Sequence, residues 1–260
     1  MRFLGLFTEH PLSLRVLDAF RVGTPGTGLY PITWGLSGTG AIPVYYGILR
    51  GGKERIHVDM RFGRPWVYID HGYFGDHDNE NLTGHYRIVV GGLHHRIPEW
   101  PKSSVPRDIG GIVVLSPFRN ADELRANAGN PLVIVPPSPH VADFYGIDVD
   151  DWVRQHGSVP PVVVSTKASG TLYEAMKNCR GVVSHSSTAS VAALAAGIPA
   201  SCTAERAPLP NHGSYDRRDL FGWLAERQFT LQEIRNGEHL GHLNGEIEAW
   251  EKSSRAAKTA

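Results

Sequence analysis

Apolar positions along the chain fall in short runs separated by turn residues, and their regularity changes from one half to the other. The first half has irregular α/β order. "AIPVYYGILRG" holds a stretch that fits a strand or a helix. "PWVYIDHGYFG" is an apolar run ending in polar residues, as a buried strand opening into a loop would be, and "HYRIVVGG" is a third run of this kind. Pro98, Pro101 and Pro106 then work against a helix between 97 and 107, ahead of the apolar "GGIVVLSPF". The second half is more regular. "NPLVIVPPSP" predicts a β-branched strand stopped by prolines, "DVDDWVRQHG" a capped short helix, "PPVVVSTK" a strand, "SGTLYEAMKNC" a helix and "GVVSHSS" a strand. Strands alternating with short helices imply parallel strands joined by crossovers. The C-terminal stretch is rich in helical patterns, and Thr230 and Glu233 have the spacing of a capping box.

Composition narrows the class. At 260 residues, 41% hydrophobic and 20% charged, the chain describes a globular protein able to bury a large core. Lys+Arg and Asp+Glu both total 26, so overall charge gives no sign of a polyanion binder. No apolar run approaches the roughly 18 residues needed to span a bilayer, and Met1 to Phe7 is too short for a signal peptide. Cys179 and Cys202 lie in no metal-like spacing, so the expected location is a reducing cytoplasm.

One turn raises a chemical question. Val182 and Val183 run into His185-Ser186-Ser187-Thr188, followed by a helix pattern in which Val191, Leu194 and Ala195 share the inner face. Ser187 or Thr188 can cap that helix, and Gly197 with Pro199 can end it. A helix start at the carboxyl end of a parallel strand offers free N–H groups to a phosphate, to which Ser186, Ser187 and Thr188 add hydroxyls; His185 can stack or hydrogen-bond. Small residues at Ala189 and Ala192 leave room for close approach. The competing reading is a capped helix in tight contact with a sheet.

"LVIVPPSP", "PVVVSTK" and "GVVSHSSTASVAALAAGIPA", in that order over residues 130 to 205, resemble the donor-binding half of GT-B glycosyltransferases, notably capsule and surface-polysaccharide transferases and their phage-encoded relatives. The resemblance implies an α/β fold of two Rossmann-like lobes. It places His185, Ser186, Ser187 and Thr188 at the donor phosphates, Lys167 as their cation and Ser138 along the donor cleft. It also implies a UDP- or GDP-type sugar as co-substrate, no cofactor and no metal. A phage origin would put the protein in the host cytoplasm, with duplex DNA carrying a hydroxymethylated pyrimidine as acceptor and partner. Arg50, Lys53, Arg55, Arg61 and Arg64 form a basic stretch that can follow DNA phosphates or simply be a solvated face.

Transfer that inverts configuration needs a base to take the acceptor proton. Asp70 and His71, at the end of "WVYI", are the first candidates, since either can accept a proton and one can orient the other; the alternative is a hydrogen-bonded loop aspartate beside an incidental histidine. His94 and His95 form a second pair, and Asp18 is a third candidate that equally fits a plain helix residue. Other motifs fail. Gly47 to Lys53 spells G-x-x-x-x-G-K, but Glu54 replaces the Ser or Thr a P-loop needs. Asp76 to Glu80 begins like a calcium loop without its glycine, and Asp148-Val149-Asp150 fits a helix cap better than a metal-binding D-x-D.

The expectation is therefore an acceptor-side lobe over 1–128, a donor lobe over 129–245 and a tail over 246–260, with the last helices candidates to cross back. Its competitors are a surface-glycan transferase, a non-catalytic nucleotide-binding module, and a metal hydrolase built on the scattered histidines.

Overall fold

In the computed structural model, residues 1–33, 40–74, 83–98, 101–102, 115–117, 121–165, 172–209 and 216–259 are described. In chain order the elements begin with β1 (Phe3–Phe7), α1 (Pro11–Gly23), β2 (Gly28–Pro31), β3 (Ile42–Tyr46), α2 (Gly52–Arg61), β4 (Val67–His71) and β5 (His85–Val90). The middle of the chain forms α3 (Ala121–Ala126), β6 (Leu132–Val135), α4 (Pro139–Tyr145), α5 (Val149–His156), β7 (Val162–Val164), α6 (Leu172–Lys177), β8 (Gly181–Ser184), α7 (Ala189–Ala195) and β9 (Ala200–Cys202). It ends with α8 (Arg217–Ala225), β10 (Gln228–Thr230), α9 (Leu231–Arg235) and α10 (Leu240–Thr259). Among the described residues no helix is long and apolar enough to cross a membrane.

The chain forms two α/β units, Met1–Leu93 with Leu224–Ala260, and His94–Trp223. In the first, the sheet order is β10-β5-β4-β3-β1-β2, with β1 to β4 parallel, β5 antiparallel to β4 and β10 antiparallel to β5. Val16, Leu17 and Phe20 of α1 bury their helical stripe against Val44, Ile69 and Ile88 of this sheet, together with Ile234 of α9 and Leu243 and Ile247 of α10. The ambiguous "AIPVYYGILRG" thus resolves as strand, because Ile42 and Val44 share this core.

The tail's place differs from the expected boundaries at 128 and 245. β10 extends the first sheet, and α9 packs so closely on α1 that a Cβ on Gly23 would lie 1.8 Å from the Ile234 carbonyl oxygen. Gly91, at φ +65°, similarly lies under Trp250 of α10. These small-residue contacts draw the C-terminal helices back onto the N-terminal sheet.

The second unit carries a parallel sheet of order β7-β6-β8-β9, as the alternating pattern predicted. Met176 of α6 and Ala189 and Ala193 of α7 pack with Val133, Val135 and Val182 in one cluster. A Cβ on Gly157, at the end of α5, would instead meet Ile134, whose side chain alternates to the other face. Local signals are as expected. Asp148 caps α5 by accepting from Asp151 N at 2.9 Å, Thr230 and Glu233 form a reciprocal capping box, and Gly197 takes φ +77° behind α7. "GGIVVLSPF" falls mostly outside the described residues.

Candidate functional site

The order β7-β6-β8-β9 makes the junction of β6 and β8 a topological switch point. From β6 the chain crosses to one edge, and from β8 to the other, so the loops leaving these neighbours diverge at their carboxyl ends, where open α/β sheets hold their ligand crevice. Two segments named from sequence emerge there: Pro136 to Ser138 after β6, and His185 to Thr188 after β8. Ser138 is exposed, and its Oγ caps α4 by accepting from Val141 N at 3.4 Å.

The second segment is built around Ser184, the fully buried last residue of β8. Its Oγ accepts from Ser187 N at 3.2 Å and lies 2.8 Å from Ser190 Oγ. Ser190 donates to Ser201 O at 3.2 Å, which leaves Ser184 as the donor within the serine pair. Cys202 Sγ, 3.4 Å from Ser184 Oγ, completes the floor; burial pushes its thiol up, which keeps it protonated and inert. The turn is thus pinned from below by residues of β8, α7 and β9.

Above this floor the hydroxyls divide their roles. Ser187 is the cap: its Oγ accepts from Ala189 N at 3.1 Å, so its own O–H stays available as a donor. Thr188 makes no capping bond and is half-buried. Ser186 is 8% exposed and pairs with His185 Nδ1 at 3.1 Å. One expectation needs correction. α7 has seven residues and its first N–H is taken by Ser187, so the hydroxyls, rather than a long helix's dipole, are what the turn offers an anion. Ala189 is buried and Ala192 exposed.

His185 does not face solvent. Its ring lies 5.2 Å from that of Tyr145 and 6.4 Å, edge to face, from that of Trp152, which itself stacks on His156 at 4.5 Å and donates Nε1–H to Thr203 Oγ1. Its carbonyl accepts from Thr203 and Ala204 N–H. Burial, and then the neighbouring His156, pull its pKa below the ordinary value.

The acceptor-side candidates lie mainly in the first unit. Asp70 and His71 do not form a side-chain dyad. The Asp70 carboxylate accepts from Arg87 Nη2, Tyr68 OH and the His71 backbone N–H, each at 2.8 Å. Burial raises its pKa, but Arg87 and these hydrogen bonds outweigh that and hold it below the ordinary value. A carboxylate so occupied is a poor proton acceptor. The His71 ring keeps a longer contact, 3.4 Å from Nε2 to Tyr46 OH, so the pair reduces to His71 as the candidate base.

Arg87, which sequence reasoning passed over, holds this corner together. It is 5% exposed, donates to the carbonyls of Leu93 and His71, and lies over the rings of Tyr68 and Tyr73. A polar residue in the middle of "HYRIVV" was the available signal. Asp18 is the plain helix residue of its alternative reading: it pairs with Arg21 and Arg235, and its pKa is lowered chiefly by the Arg21 hydrogen bond. His94 and His95 are buried, and His95 stands edge-on to Trp223. Lys167, expected to bring positive charge to the phosphates, lies outside the described residues, as does the stretch from Asp76 to Glu80.

No protein-family model matches this sequence, and no curated protein does. Among solved structures, the chain is similar to the beta Kdo 2,4 transferase of Thermosulfurimonas dismutans KpsC, at 9% identity and a TM-score of 0.45 over 86% of this chain and 90% of that one. It is also similar to the beta Kdo 2,7 transferase of the same KpsC, at 11% identity and a TM-score of 0.44 over 94% of this chain and 99% of that one.

Proposed function

We propose that the protein is a glycosyltransferase whose second unit binds the phosphates of a sugar nucleotide at the carboxyl ends of β6 and β8. The observation that carries this reading is the placement of Ser138, Ser186, Ser187 and Thr188 at the switch point of a parallel sheet, where such folds take their ligands. In the transfer step an acceptor hydroxyl oxygen forms a bond to the anomeric carbon as the bond from that carbon to the phosphate oxygen breaks. Negative charge then grows on the departing diphosphate. Hydroxyl donors from Ser186 and from Ser187, whose backbone is held by the buried Ser184, would meet that charge, and Lys167 would add a cation. The reading calls on no metal ion. If configuration inverts, the acceptor proton passes to a base.

The acceptor we favour is a glycan hydroxyl. The basic stretch that pointed to DNA is partly taken up by the protein itself: Arg55 donates to the carbonyls of Ile32 and Thr33, and Arg64 pairs with Asp59 at 2.9 Å.

The deciding experiment is a thermal-shift panel of UDP- and GDP-sugars against the wild type and a Ser186→Ala/Ser187→Ala variant. A ligand that binds only the folded state raises its Tm, by the equivalent of about 2.7 kcal/mol at a hundred times Kd. A ligand-induced rise in the wild type that the variant loses supports the reading. No rise with any sugar nucleotide overturns it.

A further inference from the structure

His185, the one titratable side chain among the turn residues, is buried between Tyr145 and Trp152. What it touches is Ser186, and the polarity of that contact decides what Ser186 can do. If His185 Nδ1 carries the proton, it donates to Ser186 Oγ and leaves the serine O–H free to turn toward an anionic oxygen. If Nδ1 is bare, it accepts that O–H and the serine presents only lone pairs, which repel a phosphate. Imidazolium always carries the Nδ1 proton; neutral imidazole carries it in only one of two tautomers.

We infer that His185 is a positioning residue that couples ligand binding to proton uptake: an anion at the β6/β8 strand ends draws the Ser186 O–H outward and so favours the form of His185 protonated at Nδ1. This deepens the sugar-nucleotide reading and rests on it. The geometry is suited to such coupling. Tyr145 from α4 and Trp152 from α5 flank the ring, and among the described residues Ser186 is the side chain within hydrogen-bond distance of it. The titratable groups facing it are the His156 imidazole, whose Coulombic effect lowers the His185 pKa, and the Tyr145 phenol. Without ligand, burial and then His156 disfavour the charged ring; a bound anion works against both.

The test is calorimetric titration of the intact protein with UDP-glucose and GDP-mannose, whose diphosphates do not titrate between about pH 5.5 and about pH 8, in buffers of different ionisation enthalpy. The wild type should bind severalfold more tightly at the acid end, with at most about tenfold per pH unit for one proton, and show fractional proton uptake. His185→Phe keeps a ring between Tyr145 and Trp152 and should lose both affinity and pH dependence. His185→Asn, which can offer an amide group where Nδ1 stood, should recover affinity with a flat profile. His156→Gln should keep the slope.

An unchanged slope in both His185 variants, or a slope lost in His156→Gln, overturns the coupling. So does a ring nitrogen spectrum showing His185 in the Nε2–H form both with and without bound nucleotide. Failure of every sugar nucleotide to bind the wild type overturns the functional reading, and the coupling falls with it. Tight but pH-independent binding overturns the coupling alone.

Discussion

Asp70 and Arg87 stand directly opposite each other across the β4–β5 ladder, with Arg87 Nη2 2.8 Å from Asp70 Oδ2. Arg87 is almost wholly buried and Asp70 is partly so, with 6% and 33% of their side chains exposed. The pair therefore costs desolvation that only its mutual attraction and extra hydrogen bonds offset. Arg87→Met should leave Asp70 uncompensated and destabilise the fold by about 2–4 kcal/mol. Asp70→Asn, whose carbonyl oxygen can still accept from the His71 N–H while Arg87 keeps its bonds to the Leu93 and His71 carbonyls, should cost less. Urea unfolding of both variants decides between them, and an equal loss would remove Arg87 from its central role.

The same pair carries a pH signature. The folded-state pKa of Asp70 is depressed below its ordinary 3.8, so its contribution is present above that value and lost as pH falls through the lower folded pKa. Two histidines act earlier on the acid side. Burial pulls His239 and His242 down to about 4 from 6.5, so the unfolded chain binds more protons than the folded one across that window. Stability should fall as pH drops from 6.5 to about 4, by up to about 1.4 kcal/mol per pH unit for each histidine. Tm measured across this range should fall less steeply in His242→Gln; an unchanged slope would show that His242 titrates normally.

Gly23 tests where the C-terminal helices belong. Its Cβ would collide with the Ile234 backbone, so Gly23→Ala should cost about 1–3 kcal/mol. Gly129→Ala, where no atom lies within 4 Å, serves as the control and should be close to neutral. Equal effects in thermal unfolding would mean that α9 does not press on α1.

Ser190 should matter more than its size suggests. Ser190→Ala removes the acceptor of the Ser184 hydroxyl and the donor to Ser201 O inside a fully buried cluster, a loss of about 1–3 kcal/mol. Ser187→Ala removes only the cap on Ala189 N, about 1 kcal/mol. Denaturation curves should rank the two in that order. If Ser187→Ala proved the more damaging, the floor of the turn would be the wrong place to look for its rigidity.

Features legible in the sequence are those that neighbouring residues decide among themselves. β-Branched runs became β6, β7 and β8, Asp148 and Thr230 capped their helices, and Gly197 took the left-handed position behind α7, because each depends on a span of a few residues. The turn after β8 was equally legible, its hydroxyls standing where a strand run meets a helical one. Tertiary structure decided what depended on distant partners. Gln228 accepts from Tyr73 N across 155 positions, and the tail's return to the first sheet is made of such contacts. Asp70 and His71 look alike as bases until Arg87 occupies one of them from the facing strand. His185 looks like a ligand until Tyr145 and Trp152 cover it. A side chain's availability for chemistry is set by what neutralises or buries it, and those groups reach it through space from other elements.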